Sequence, residues 1–158
     1  MTERVHDSGD EVVFYDDQRT LLRVSGPTRL LGAAYGGVHV RTGGRLIVSG
    51  IISQRLVVEA GGACYASGYI RAIPKVAEGG FLDVAGHLNP VRWPAADIEG
   101  TILIAVGACY GQHVVTADGS LAAYDSDVAT RDNDSTPRFR FVRSGPMPVL
   151  ANSTETDS

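Results

Sequence analysis

The chain has 158 residues, 44% of them hydrophobic and 20% charged, which suits one domain with a substantial core. A formal charge of −4 gives no overall basic footprint for nucleic acid, and no apolar run reaches the ~18 residues of a membrane-crossing helix. Two cysteines, Cys64 and Cys109, make neither a disulfide framework nor a metal-site spacing, so a cytoplasmic protein without cofactor or metal is expected.

The first residues, Met1-Thr2-Glu3-Arg4-Val5-His6-Asp7, lack the charged-then-apolar layout of a signal peptide, and 1–10 read as a flexible polar N-terminus. From residue 11 a weak coil begins, with Gly26 and Gly32 in register with the stronger coils after it. The frame itself is set by glycine pairs at Gly43-Gly44, Gly61-Gly62 and Gly79-Gly80, eighteen residues apart. Each pair is followed by another glycine, at Gly50, Gly68 and Gly86, again at a spacing of eighteen.

Inside this period lies one of six. Val40, Leu46, Ile52, Val58, Cys64, Ile70, Val76, Leu82 and Leu88 form an unbroken apolar column. Steps of six wander around a helix of 3.6 residues per turn, but return to the same inward place on three short strands separated by bends. Eighteen residues then close one triangular coil. The fold expected is all-β: a single-stranded triangular β-solenoid, or parallel β-helix. Glycine suits its corners, where the backbone bends at positive φ and little room is left for a Cβ.

The column stops at the irregular stretch 89–97, which contains Pro90, Trp93 and Pro94. A shifted column resumes at Leu103, Cys109, Val115 and Leu121. Gly62-Ala63-Cys64-Tyr65 recurs as Gly107-Ala108-Cys109-Tyr110, which supports continued coiling to residue 124. Asp118-Gly119 also reads as a hairpin turn between 112–117 and 120–124. Residues 125–136 read as an exposed acidic loop, 137–150 as a strand capping the solenoid, and 151–158 as a disordered tail.

Chemistry-bearing residues are sparse. Cys64 stands in the inward column, and Cys109 repeats its context, so both read as buried thiols. His39 and His87 each precede an inward residue and should point outward; His87 has Asp83 nearby in sequence. No phosphate-binding, zinc-protease, hydrolase-elbow or dinucleotide fingerprint is present. Outward residues eighteen apart stack on neighbouring coils, giving the rows Ile51, Tyr69, His87; Ile47, Tyr65, Asp83; and Val57, Lys75, Trp93. Ile47, Ile51, Tyr65, Tyr69, His87 and Trp93, flanked by Arg45 and Arg71, are the candidate partner surface.

The run from Leu46 to Gly62, with Val48-Ser49-Gly50-Ile51-Ile52 at its start, resembles a bactofilin repeat, as does Ala66-Ser67-Gly68-Tyr69-Ile70-Arg71-Ala72. The resemblance covers roughly residues 22–90. It implies a right-handed β-helix and a bacterial, non-enzymatic structural scaffold that self-associates end to end. The interruption at 89–97 and the residues beyond it depart from that pattern. The alternative is a small protein-binding inhibitor, such as a toxin immunity protein, using an exposed solenoid face. A remoter alternative is a hexapeptide-type acyltransferase. In those enzymes glycine follows the inward residue, whereas here it lies two places before it. On every reading but the enzymatic one the partner is protein, with no nucleic acid and no membrane span.

Overall fold

The computed structural model describes residues 3–5, 11–89, 99–118, 120–123, 138–143 and 149–152. Among these residues there is no helix. Strand β1 spans Glu3–Val5. A first coil carries β2 (Val12–Phe14) and β3 (Leu22–Val24), and a second carries β4 (Pro27–Leu30), β5 (Ala33–Ala34) and β6 (Val38–Val40). The third holds β7 (Arg45–Val48) and β8 (Ile51–Val58), the fourth β9 (Ala63–Ala66) and β10 (Tyr69–Val76), the fifth β11 (Phe81–Val84) and β12 (His87–Leu88). Strands β13 (Thr101–Ala105) and β14 (Cys109–Tyr110) follow, then β15 (His113–Val115), β16 (Leu121–Ala123), β17 (Arg138–Arg143) and β18 (Val149–Asn152).

The coils stack in parallel register as a β-solenoid of about five turns. On the first face Thr28, Leu46, Cys64 and Leu82 lie one above another. On the second face Ala34, Ile52, Ile70 and Leu88 do the same, and on the third Leu22, Val38, Leu56 and Pro74. The spacing is eighteen except in the first coil, where Val12 pairs with Thr28 and Leu22 with Val38. Strand β8 turns from second to third face at Gln54, the only non-glycine with positive φ (75°) among the described residues.

The inward column is the core. All nine residues from Val40 to Leu88 at steps of six are at most 1% exposed. Each buried Leu, Ile or Val contributes about 1.5–3 kcal/mol by leaving water, and stacking identical positions lets every coil bury the apolar edge of its neighbour.

The glycines do two different jobs. Gly43, Gly61 and Gly79 take φ of 83–88°, a conformation that a side chain resists. Gly50, Gly68 and Gly86 have ordinary φ but no space: a Cβ on Gly68 would lie 2.1 Å from the Gly50 carbonyl oxygen, and one on Gly86 2.2 Å from that of Gly68. At this corner the amides of Tyr69 and His87 bond the carbonyls of Gly50 and Gly68 at 2.9 and 3.0 Å, which draws consecutive coils together.

Beyond the fifth coil the sequence reading needs correction. Leu82 pairs with Ile102 and Leu88 with Tyr110, so the eighteen-residue step becomes twenty on the first face and twenty-two on the second. Ile102 and Ile104 therefore face the core, and Leu103 lies outward beside Asp83. Cys109 falls in register with His87 on the outer row, where it packs with Val114 in a small separate cluster. Its tetrapeptide repeats that of Cys64 in sequence but occupies a different place in the coil. Continued coiling and the hairpin both occur: β13 and β14 extend the stack, then β14, β15 and β16 run antiparallel.

The ends also differ from expectation. Residues Glu3–Val5, placed in a flexible N-terminus, pair antiparallel with β2 and cover its outer edge. The single capping strand is a pair: β17 lies antiparallel on β13, and β18 on β17. Ala151 and Asn152, assigned to the disordered tail, belong to β18 because their backbones complete that ladder. Phe141 of β17 is 2% exposed and packs near Tyr110, ring centroids 5.7 Å apart, so the cap extends the core as well as the sheet. The acidic loop at 125–136, Trp93, and the interruption beyond Asn89 lie outside the described residues.

Candidate functional site

The coil geometry turns every second residue of each strand outward and stacks it on its equivalent one coil away. On the second face this brings Ile51, Tyr69 and His87 into one row. The Tyr69 and His87 rings stack with centroids 4.4 Å apart and planes 15° from parallel. Asn89 Nδ2 donates to the Tyr69 hydroxyl at 3.1 Å. His87 Nε2 lies 3.2 Å from the Gly111 carbonyl, which can only accept, so this nitrogen carries a proton. Both rings are thus held from two sides.

Beside the row runs an open groove of about 680 Å³. Gly50, Gly68 and Gly86 form its floor, because the corner that cannot accept a Cβ also leaves no side chain to fill the space. Ile51, Tyr69, His87 and Cys109 make one wall, and Ser49, Ser67 and Ala85 the other. A smaller hollow of about 280 Å³ lies across the corner, sharing Ser67 and Ala85 and bounded by Ile47, Tyr65, Asp83 and Arg138.

On the first face Tyr65 sits between Ile47 and Asp83 in register. The Arg45 guanidinium lies 5.3 Å from the Tyr65 ring centre, and Phe81 packs against that ring at 5.5 Å. Arg71 is exposed on the second face next to Ser53. Of the eight candidate surface residues, Ile51, Tyr69 and His87 meet along one groove. Ile47, Tyr65 and Arg45 gather on the adjoining face, Arg71 lies at the far margin of the second, and Trp93 lies outside the described residues. The row Val57, Lys75 is in register on the third face.

Sequence reasoning missed Phe81, Asn89 and Arg138 as neighbours of these rings, and it saw the glycines as corners without the groove they create. A stack of glycines at period eighteen, next to an aromatic row, is the signal that marks such a groove.

Cys64 is fully buried, and burial, with a smaller contribution from Asp83, pushes its thiol up to about 12, far from thiolate chemistry at neutral pH. Burial also pushes up the Cys109 thiol. Asp83 does not serve His87: it lies on the first face and accepts a hydrogen bond from Arg138. His39 bonds Glu59 at 2.6 Å on the third face, and this bond, the chief cause, holds the Glu59 carboxyl below its ordinary value. Among the described residues no three His, Cys, Asp or Glu side chains gather as a metal site. Comparison with protein-family models, curated proteins and solved structures gives no match.

Proposed function

We propose that this chain is a non-enzymatic protein-binding solenoid acting as a discrete unit, with the glycine-floored groove and its Ile51, Tyr69 and His87 wall as partner surface. The observation that carries this reading is the pre-ordered aromatic stack beside an open groove. Tyr69 and His87 are already fixed by each other, by Asn89 and by Gly111, so a partner would not bear the entropy of ordering them. Aromatic anchors of this kind concentrate binding energy at protein interfaces. A toxin inhibitor of the immunity-protein type is one concrete form of this reading.

The second reading is a bactofilin-like scaffold that stacks end to end. The unbroken parallel register of the first five coils supports it. Against it, the backbone edges of β13 and β14 that a further coil would use are occupied by the antiparallel strands β17 and β15.

Light scattering on the purified chain separates the two. A particle of 16.7 kDa or a small multiple supports the discrete binder, and filaments overturn it. The surface is tested by cross-linking in cells of the source organism. A partner captured by the native chain and lost with Ile51→Asp/Tyr69→Ala supports the groove; unchanged capture rejects it.

A further inference from the structure

Charge along this chain is strongly segregated. Between residues 18 and 77 stand eight of the fourteen basic residues, Arg19, Arg23, Arg29, Arg41, Arg45, Arg55, Arg71 and Lys75, but only one of the eighteen acidic ones, Glu59. A net charge of −4 conceals this.

The fold sorts these cations by face. Arg29 pairs with Glu11, and Arg45 lies over Tyr65, both on the first face. The other six lie elsewhere, and all are exposed. Arg23 and Lys75 share the outward row of the third face with His39 and Val57. Arg41 follows directly on that face, and Arg19, Arg55 and Arg71 line its border with the second. None of the six makes an ion pair among the described residues. The one carboxylate in the segment, Glu59, is engaged by His39 and by the Thr42 amide, and the charge of Arg41 also acts on it.

Like charges gathered on one side of a fold repel one another, and an opposite charge brought to that side relieves the repulsion. Rungs lie about 4.8 Å apart, so Arg55 and Arg71, two register positions apart on neighbouring coils, fall near the ~8 Å screening length at physiological salt, while Arg23 and Lys75 stand three rungs apart with His39 and Val57 between them. Five of the six are arginines, whose planar fork suits carboxylates bidentately. Interspersed with them are half-buried Val57 and exposed Tyr35, the latter 45% accessible. A phosphate backbone would use the cations alone. A folded acidic surface would use the cations and the apolar residues together.

We infer that the third face and its border with the second form a docking surface for an acidic protein, steered by Arg19, Arg23, Arg41, Arg55, Arg71 and Lys75. This rests on the protein-binding reading and adds the chemistry of the partner. The groove supplies anchoring contacts, and the basic face supplies attraction and orientation.

The test uses the full chain with two fluorescent probes, a polyglutamate peptide and a DNA duplex, followed by anisotropy at low and physiological salt. Polyglutamate is expected to bind, more weakly as salt rises, and better than the duplex. Arg23→Glu/Arg71→Glu/Lys75→Glu should lower that affinity by about tenfold or more without changing the melting temperature. If this variant fails to fold, Arg23→Gln/Arg71→Gln/Lys75→Gln should show a smaller loss in the same direction. Absence of polyglutamate binding at low salt, indifference to the substitutions, or preference for DNA would overturn the inference. A cross-linked partner that needs Tyr69 but tolerates charge reversal would reject the basic face alone. Loss of the groove effect with charge dependence intact would reject the groove alone.

Discussion

Asp83 of the fifth coil and Arg138 of the cap, fifty-five residues apart in the chain, are joined by a hydrogen bond from Arg138 Nε to Asp83 Oδ1 of 3.2 Å. Their side chains are only 16% and 19% exposed. The pair ties the cap to the outer side of the first face, next to the antiparallel seam between β13 and β17.

Exposed ion pairs are worth about 0–1 kcal/mol, but losing one partner of a covered pair leaves the other desolvated without compensation. Arg138→Ala should therefore cost about 1–2 kcal/mol in chemical denaturation. Arg138 makes other contacts as well, so the pair itself is read from a double-mutant cycle with Asp83→Asn. A coupling energy indistinguishable from zero would show that the cap is held by its strands alone.

The two glycine roles predict different costs. Gly61→Ala places a side chain at φ +83°, at a cost of about 1–2 kcal/mol. Gly68→Ala drives a Cβ to within 2.1 Å of a backbone oxygen that cannot move without breaking the ladder, so about 3 kcal/mol or more is expected. Denaturation midpoints of the two variants check the order; equal losses would contradict it.

Register beyond the fifth coil is tested by neighbours. Ile102 is 1% exposed, and Ile102→Ala should cost about 2–5 kcal/mol. Leu103 lies outward, and Leu103→Ala should cost under about 1 kcal/mol. The reverse order would restore the column through Leu103 and displace the twenty-residue step.

Acid should act on the β15–β16 hairpin late. Asp118 accepts from the Ser120 hydroxyl at 2.6 Å, from the Thr116 hydroxyl at 2.5 Å and from the Ser120 amide at 3.2 Å, and these bonds hold its carboxyl down to about 2. The folded value lies below the unfolded one, so the contribution is complete above pH ~3.9 and is lost as pH falls through about 2. Carboxyl chemical shifts should titrate with that low midpoint. A midpoint near the ordinary aspartate value would show the loop bonds absent in solution.

The sequence by itself determined the repeating part. Val40 to Leu88 lies inward because each coil packs only on its neighbours, so a local period of six and eighteen carries the whole of that geometry. His39 and His87 were rightly placed outward for the same reason. What the period cannot carry is anything that breaks it. The longer connection after Leu88 shifts the first face by two residues and the second by four, which put Cys109 in the outward register, buried there against Val114 as the expected buried thiol, and Ile102 inside. The capping strands, the Asp83–Arg138 bond and the cover given by β1 join segments far apart in the chain, with no spacing to announce them. Only the tertiary structure decided that the corner glycines leave a groove, that Tyr69 and His87 stack along it, and that six exposed arginine and lysine side chains gather on the third face and its border with the second, none of them ion-paired among the described residues.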